Sequence, residues 1–201
     1  MPGLPQACAV SVDSAVLHVL AAAAPVLRRC GNRWYLFGAQ AVAVWGRPRM
    51  SADVDITAAI VSSHDEFVKA MEAAGFDLRV DEWRPFLERT RVVPLVHRAT
   101  ELPLDVVIAG PGLEEEFLDR AQAVDIAGMM VPVISPEDLV VTKLLAGRPK
   151  DVEDVRTILE ERLPGLDLVR IRHLLGLLQQ ALSRSDLAPE LETLLAAARK
   201  T

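Results

Sequence analysis

The first sixty residues alternate between helical and strand patterns of apolar positions. An alanine-rich apolar stretch at 15–27 predicts a buried or amphipathic helix, too short to span a bilayer. A short aromatic and apolar run at 34–37 predicts a buried strand, and 39–45 predicts a helix directly after Gly38. Residues 51–60 alternate and then become apolar, which predicts a second strand.

The pattern in the middle of the chain predicts one helix and two hairpins. Ser63 and Glu66 have capping-box spacing, so a helix is expected from there to Gly75. The segment 81–90 is ambiguous, with a short helix after Pro85 as one interpretation. Two pairs of apolar runs predict two hairpins: 91–97 with 102–109, and 123–126 with 129–134.

The last third of the chain is helical in pattern. Ser135 followed by Pro136 and two acids is a strong helix start, and breaks are expected at 147–150, 163–165 and 183–189. We expect an α/β core at residues 1–134 and a C-terminal helical part at 135–201. No Gly/Ser-rich or Pro-rich linker separates the two parts, so they are expected to pack together.

Composition narrows the functional classes. The chain has 22 Lys and Arg against 28 Asp and Glu, a net charge of −6, which argues against a protein that coats nucleic acid by bulk charge. Cys8 and Cys30 form no CxxC pair and no disulfide framework. We therefore expect a soluble cytoplasmic protein with no membrane association, in which any contact with nucleic acid is local.

Two acids near the second strand are the first candidates for chemistry. Asp53 and Asp55 are two residues apart and point to one face of the strand, while Val54 and Ile56 point to the other. Such a pair is stable when it is solvated, when one acid is protonated, or when a divalent cation lies between them. A solvated strand edge and a Mg²⁺ or Mn²⁺ site are both open at this point.

Asp105 interrupts the apolar run of a predicted central strand, where a charge needs a partner. One candidate is an ion pair with Arg91 or Arg98 on the neighbouring strand. If the two acidic strands are adjacent, however, Asp105 joins Asp53 and Asp55 in a set that suits two-metal phosphoryl or nucleotidyl transfer.

Gly38 lies between a buried strand and a helix. The absence of a Cβ allows a phosphate to approach the backbone, and the N–H groups of Ala39 and Gln40 would point at it from the helix start. The chain lacks the glycine-rich patterns of a P-loop or a dinucleotide fingerprint. By itself Gly38 is equally a turn glycine.

Taken together these motifs resemble the DNA polymerase β-type nucleotidyltransferase superfamily. The carriers are Gly38-Ala39 and then Arg49-Met50-Ser51-Ala52-Asp53-Val54-Asp55. With the stretches 135–139 and 143–151 and Asp154, the pattern is most similar to the AbiEii-type branch, which includes toxins of bacterial toxin–antitoxin and phage-defence systems. The resemblance covers about residues 30–160 and implies a small mixed twisted sheet of the nucleotidyltransferase type, flanked by helices (α/β, α+β), with the C-terminal helices closing one side of a cleft.

The resemblance also implies roles for individual residues. Asp53, Asp55 and Asp105 would be catalytic and bind Mg²⁺ or Mn²⁺, and Asp105 would help to activate the attacking hydroxyl. The nucleotide would be held by Gly38, Ala39, Ser51 and Lys143. Ala39 departs from the Gly or Ser that is more frequent there, so a hydroxyl contact to phosphate is lost.

Five further charged residues have two interpretations each. Arg47 and Arg49 either hold phosphate or nucleic acid or serve as salt-bridge partners. Lys150, Asp151 and Asp154 either act near the site or stabilise a helix start.

The activity implied is metal-dependent transfer of a nucleoside monophosphate from an NTP to an acceptor hydroxyl. The acceptor would be RNA, particularly the 3′ end of tRNA, or a protein, and a cognate antitoxin would be a partner. The alternatives are a small-molecule, aminoglycoside-type nucleotidyltransferase and a catalytically weak nucleotide- or partner-binding module. A basic cleft surface would favour RNA, and an acidic one a cationic small molecule.

Overall fold

The computed structural model describes residues 13–31 and 33–199, and Cys8 lies outside them. The elements in chain order are α1 Ser14–Cys30, β1 Arg33–Phe37, α2 Gly38–Trp45, β2 Val54–Ala59, α3 His64–Ala73, β3 Phe76–Leu78, α4 Trp83–Thr90, β4 Val92–His97, β5 Pro103–Ile108, α5 Leu113–Arg120, β6 Gln122–Ile126, β7 Met129–Val133, α6 Pro136–Ala146, α7 Pro149–Arg162, a 3-10 turn Leu163–Gly165, α8 Leu168–Leu182 and α9 Leu187–Ala198.

Within residues 13–31 and 33–199, seven strands form one mixed sheet in the order β3-β4-β5-β2-β1-β7-β6. The two predicted hairpins, β4–β5 and β6–β7, are both present as antiparallel pairs. Strands β2 and β5 are parallel neighbours, as are β1 and β7. The expected mixed sheet flanked by helices is therefore confirmed, and its centre is the pair β2–β5.

Local signals account for the helix starts. Ser63 and Glu66 form the complete capping box of α3, and Ser135 accepts from the backbone N–H of Asp138 at the start of α6. Helix α1 buries its apolar face, including Leu20 and Leu27, against the sheet side of the core. Helices α3 and α6 thus begin directly after residues whose side chains cap their first turn, and α1 lies where its apolar face is buried.

Three local expectations differ from the structure. Strand β2 is shorter than 51–60, so Asp53 immediately precedes the strand. Strand β3 and helix α5 were not predicted, because three residues are too few for an alternating pattern and α5 opens with a run of three glutamates after Gly112. Helix α4 begins at Trp83, two residues before Pro85 and not after it. Proline is tolerated in this first turn because the first N–H groups of a helix have no partner within the helix.

The helices from α6 onward pack on the sheet and on each other through apolar residues that join the same core as the strands, among them Leu139, Ile158, Leu175 and Leu191. The last strand ends at Val133 and α6 begins at Pro136. The division into residues 1–134 and 135–201 stays a prediction. Among the described helices, none has both the length and the apolar character to cross a membrane.

Candidate active site

Three aspartates converge at the centre of the sheet. Asp55 is directly paired with Asp105 across the parallel strands β2 and β5, and Asp53 comes two residues before Asp55. Val54 and Ile56 are fully buried on the opposite face, as the alternation predicts. The sheet register thus places Asp55 and Asp105 side by side, although they are fifty residues apart in sequence.

The carboxylates are close enough to share a cation. One oxygen from each of Asp53, Asp55 and Asp105 lies within 4.8 Å of the other two, and all three residues are partly buried. Burial, with the neighbouring charges of Asp53 and Asp105, raises the pKa of Asp55 to about 6. Oxygen ligands with an excess of negative charge fit Mg²⁺ or Mn²⁺, whose positive charge would remove the repulsion.

Asp105 has a different ion-pair partner from the two that its sequence context suggested. Arg91 bonds to Glu114, and Arg98 bonds to Asp77. The side chain that pairs with Asp105 is Arg79, which follows strand β3. The expected ion pair of Asp105 with Arg91 or Arg98 was wrong. Its partner, Arg79, follows β3, a strand of three residues that is too short to be predicted from the sequence.

Asp53 is held from the loop that precedes β2. The Ser51 hydroxyl donates to Asp53 Oδ1 at 2.6 Å, and Gln40 Nε2 approaches the Asp53 carbonyl oxygen at 3.5 Å. The predicted nucleotide-binding residue Ser51 therefore contacts a carboxylate of the triad and also lines the cleft.

Gly38 is required at its position for two reasons. Its φ is +65°, a left-handed conformation that other residues adopt at a cost, and a Cβ there would lie 2.0 Å from Asp55 Oδ2. Helix α2 starts at this residue, and no side chain caps its first turn. The backbone N–H groups near Gly38 and Ala39 therefore begin a helix directly beside the acidic triad, an arrangement that suits an anion next to a metal.

A cleft of about 200 Å³ runs from the triad to the start of α7. The predicted site residues that line it are Gly38, Ala39, Arg49, Ser51, Asp53, Asp55, Lys143, Lys150 and Asp151. Asp105 adjoins it through its contact with Asp53 and Asp55. Arg47 and Asp154 do not line it; Asp154 binds two residues that do.

Three cations surround the two carboxylates, Asp151 and Asp154, in the wall of the cleft. The Lys143 ammonium, on a residue only 6% exposed, lies 3.1 Å from Asp151 Oδ1 and 2.8 Å from Asp154 Oδ2. Arg49 binds both oxygens of Asp154, at 2.7 and 2.9 Å, and Arg148 binds Asp151. Burial alone would raise the pKa of Asp151 and of Asp154, but the hydrogen bonds from these cations outweigh it and lower both.

The remaining predicted cations differ in their surroundings. Arg47 pairs with Glu160 and Glu161 on α7, as in the salt-bridge interpretation. Lys150 is exposed at the cleft mouth, and among the described residues it has no ion-pair partner within 4.0 Å.

Sequence reasoning missed two cations of the site. Arg148 lines the cleft and binds Asp151, and its place directly before Pro149, the first residue of α7, was a usable signal. Arg79 offered no such signal, because it lies in a bend after the unpredicted strand β3.

Solved structures with the same fold include nucleotidyltransferases. The solution structure of antibiotic-resistance factor ANT(2″)-Ia is 18% identical, covers 93% of this chain and 90% of its own, and has a TM-score of 0.51. ANT(2″)-Ia in complex with adenylyl-2″-tobramycin is 17% identical, covers 83% and 95%, and has a TM-score of 0.53. An antigenic nucleotidyltransferase-like protein from Paracoccidioides brasiliensis is 19% identical, covers 88% and 90%, and has a TM-score of 0.50.

At these identities the similarity establishes the fold only. No curated protein sequence matches the chain. A family model described as a nucleotidyltransferase of unknown function (DUF6036) matches residues 31–175. This stretch is more than half of the chain and contains the triad, the cleft and the α6–α7 network, so the protein belongs to this nucleotidyltransferase family.

Proposed function

We propose that this nucleotidyltransferase transfers a nucleoside monophosphate from an NTP to a hydroxyl of an RNA acceptor, the 3′ end of tRNA in particular. The hydroxyl oxygen forms a bond to the α-phosphorus, and pyrophosphate leaves as the bond between the α- and β-phosphates breaks. The observation that carries the reaction type is the convergence of Asp53, Asp55 and Asp105 within 4.8 Å, beside the start of α2. Bound Mg²⁺ or Mn²⁺ would neutralise charge on the transferred phosphate and lower the pKa of the attacking hydroxyl.

The protein's own groups would orient the nucleotide. The three carboxylates would hold the cation, and Asp105 would help to activate the acceptor hydroxyl by accepting its proton. The backbone N–H groups at Gly38 and Ala39 donate to phosphate oxygens. Lys143 and Arg148 supply positive charge from the opposite wall, so that the triphosphate lies between α2 and α6.

The charges of the cleft favour an anionic acceptor. Asp151 is already bound by Lys143 and Arg148, and the triad carboxylates are committed to the cation. The described lining therefore offers no spare carboxylate for the ammonium groups of an aminoglycoside-type acceptor. At the mouth, Lys150 is exposed, and its cation suits an RNA phosphate.

A labelled-transfer assay tests the proposal. Purified protein is incubated with Mg²⁺, one α-labelled NTP at a time, and total cellular RNA, and we expect label in RNA. Asp53→Asn removes a triad carboxylate and should abolish labelling. Asp77→Asn is the matched control, because Asp77 is an exposed carboxylate that pairs with Arg98 away from the cleft.

The same assay separates the alternatives. Label in protein would replace RNA with a protein acceptor, and label in an added aminoglycoside would favour the small-molecule enzyme, whose fold likeness is to ANT(2″)-Ia. Binding of NTP without turnover under Mg²⁺ and Mn²⁺ would indicate a weak module, in which Ala39 has replaced the usual Gly or Ser.

A toxin role is the finer part of the proposal. It is supported by the resemblance to AbiEii-type proteins and by the net charge of −6, which would complement a basic antitoxin. Induced expression in a bacterial host should arrest growth with the native sequence and not with Asp53→Asn. Equal growth of both strains would remove the toxin role and leave the transferase intact.

A further inference from the structure

Arg79 is attached to the protein at three points around the acidic triad. Its backbone N–H donates to the Pro94 carbonyl oxygen at 3.0 Å, and its Nε donates to the Leu95 carbonyl oxygen at 3.0 Å. Its Nη2 donates to Asp105 Oδ1. The guanidinium is therefore fixed on the backbone side by β4 and directed towards one oxygen of one triad carboxylate.

The sheet register explains how a residue so far along the chain reaches this carboxylate. Asp105 has Asp55 as its direct neighbour on β2 and Pro94 as its direct neighbour on β4. Arg79 bonds to Pro94 from the far side, so the four residues form one row across the sheet. Neighbouring strands are about 4.8 Å apart, so two strand spacings, about 10 Å, separate the backbones of Arg79 and Asp105. An extended arginine side chain is long enough to cross Pro94 and reach the carboxylate.

The triad needs such a contact. Asp53 and Asp55 both repel Asp105, and a side chain with free rotation would turn away from them when no cation is bound. A planar guanidinium with one donor on a fixed carbonyl and another on the carboxylate holds a single orientation, which a flexible ammonium does not.

We propose that Arg79 is a positioning residue of the metal site, which holds one oxygen of Asp105 and so keeps the other oxygen directed at Asp53 and Asp55. This inference rests on the proposed function, because it takes the triad to be the metal site. Arg79 also places a positive charge near the cation, and that charge by itself would weaken cation binding. The positioning role therefore predicts weaker cation binding when Arg79 is replaced by a neutral residue, whereas its charge alone predicts tighter binding.

Binding of Mn²⁺ to the full-length protein without nucleotide separates the two effects. The free-Mn²⁺ signal in electron paramagnetic resonance gives the Kd for each variant. If Arg79 positions Asp105, Arg79→Gln should weaken binding about tenfold, the usual scale for partners of metal ligands. Arg79→Lys keeps the charge but cannot donate to both Leu95 and Asp105, and it should weaken binding as well.

Arg98→Gln is the matched control. Arg98 also binds an aspartate, Asp77, and two backbone carbonyls, that of Phe76 in β3 and that of Glu72 in α3. Its replacement should leave the Kd for Mn²⁺ unchanged. In the transfer assay, Arg79→Gln should lower kcat and leave the KM for NTP unchanged, because the phosphate-binding wall is intact.

Three results would overturn the inference: tighter Mn²⁺ binding in a folded Arg79→Gln, unchanged binding in that variant, or native affinity in Arg79→Lys. The last would show that the site does not need a guanidinium bound to both Leu95 and Asp105. If the native protein itself binds no Mn²⁺, the metal site of the proposed function fails first, and the inference fails with it. Melting temperatures of all variants identify any that do not fold.

Discussion

Two sets of carboxylates lie at the same cleft and differ in their counter-ions. Asp151 and Asp154 on α7 are each bound by two cations, drawn from Lys143, Arg49 and Arg148. Among the described residues, the triad of Asp53, Asp55 and Asp105 has one directly bound arginine for three acids. In this part of the chain the α7 set has its counter-ions, and the triad does not.

The pKa directions follow from this difference. Burial acts on both sets, yet the cations around Asp151 and Asp154 lower their pKa values, whereas burial and two like charges raise the pKa of Asp55 to about 6. The carboxylates of α7 are paired with cations of the cleft wall. The triad carboxylates are not fully compensated, and such charges mark where a cation or substrate belongs.

Removal of a triad carboxylate should have the largest effect on activity. Asp105→Asn keeps the size of the side chain but removes a ligand charge, and transfer should fall about 10³-fold. Stability should change little, because the repulsion from Asp53 and Asp55 and the ion pair with Arg79 are lost together. Steady-state label transfer and a thermal melt check the two halves; a stable variant with native activity would remove Asp105 from the site.

Removal of a cation from the α7 set should instead cost stability. Lys143→Met removes the buried cation that Asp151 and Asp154 share, while Arg148 and Arg49 remain, and the free energy of unfolding should fall by about 2–3 kcal/mol. Lys150→Met, on an exposed neighbour, is the control and should change stability by less than about 0.5 kcal/mol. Urea unfolding measures both. If Lys143→Met has the native free energy of unfolding, the α7 carboxylates do not depend on their counter-ions for stability, and the contrast with the triad fails.

The crowding of Asp55 against Gly38 can be tested by adding a single methyl group. In Gly38→Ala the Cβ meets Asp55 Oδ2 and the φ of +65° is strained, so we expect a loss of about 2–3 kcal/mol together with weaker Mn²⁺ binding.

Gly128→Ala isolates the backbone part of that loss. Gly128 has a φ of +87°, and nothing lies within 4 Å of the position that a Cβ would take, so this variant should lose only about 1 kcal/mol and keep its metal affinity. Equal losses in the two variants would mean that Asp55 moves away at no cost.

The last effect is the pH dependence of the metal-free protein, which is spread over about two pH units. The folded pKa of Asp55 lies above its ordinary value of 3.8, so its contribution to stability is complete below about pH 4 and is lost as the pH rises through about 6. The loss is at most about 3 kcal/mol. Asp151 and Asp154 act oppositely: their lowered pKa values favour the fold above about pH 4 and lose this effect in stronger acid.

Melts in EDTA between pH 4 and pH 7.5 separate the two sets, because their windows do not overlap. Asp55→Asn should remove the decline between pH 4 and pH 6, and saturating Mg²⁺ should do the same for the native protein. A decline that persists in Asp55→Asn would place its cause outside the triad.

The sequence predicted most of the elements because their signals are local. The cap at Ser63, the Ser135-Pro136 start and the two hairpins depend on neighbours within a few residues, and the structure has them all. The short strand β3 and the acidic helix α5 escaped because their stability comes from contacts distant in sequence, with β4 for β3 and with the central strands for α5.

The triad divides in the same way. The alternation of Asp53, Val54, Asp55 and Ile56 by itself determines that two acids face away from the core, and the charge within an apolar run, with the family resemblance, added Asp105. Only the parallel register of β2 and β5 placed Asp105 beside Asp55, and only the sheet order brought Arg79 to it in place of Arg91 or Arg98. Residue type and periodicity are properties of the chain, but an ion-pair partner depends on which strands become neighbours, and that is decided when the whole sheet buries its apolar faces.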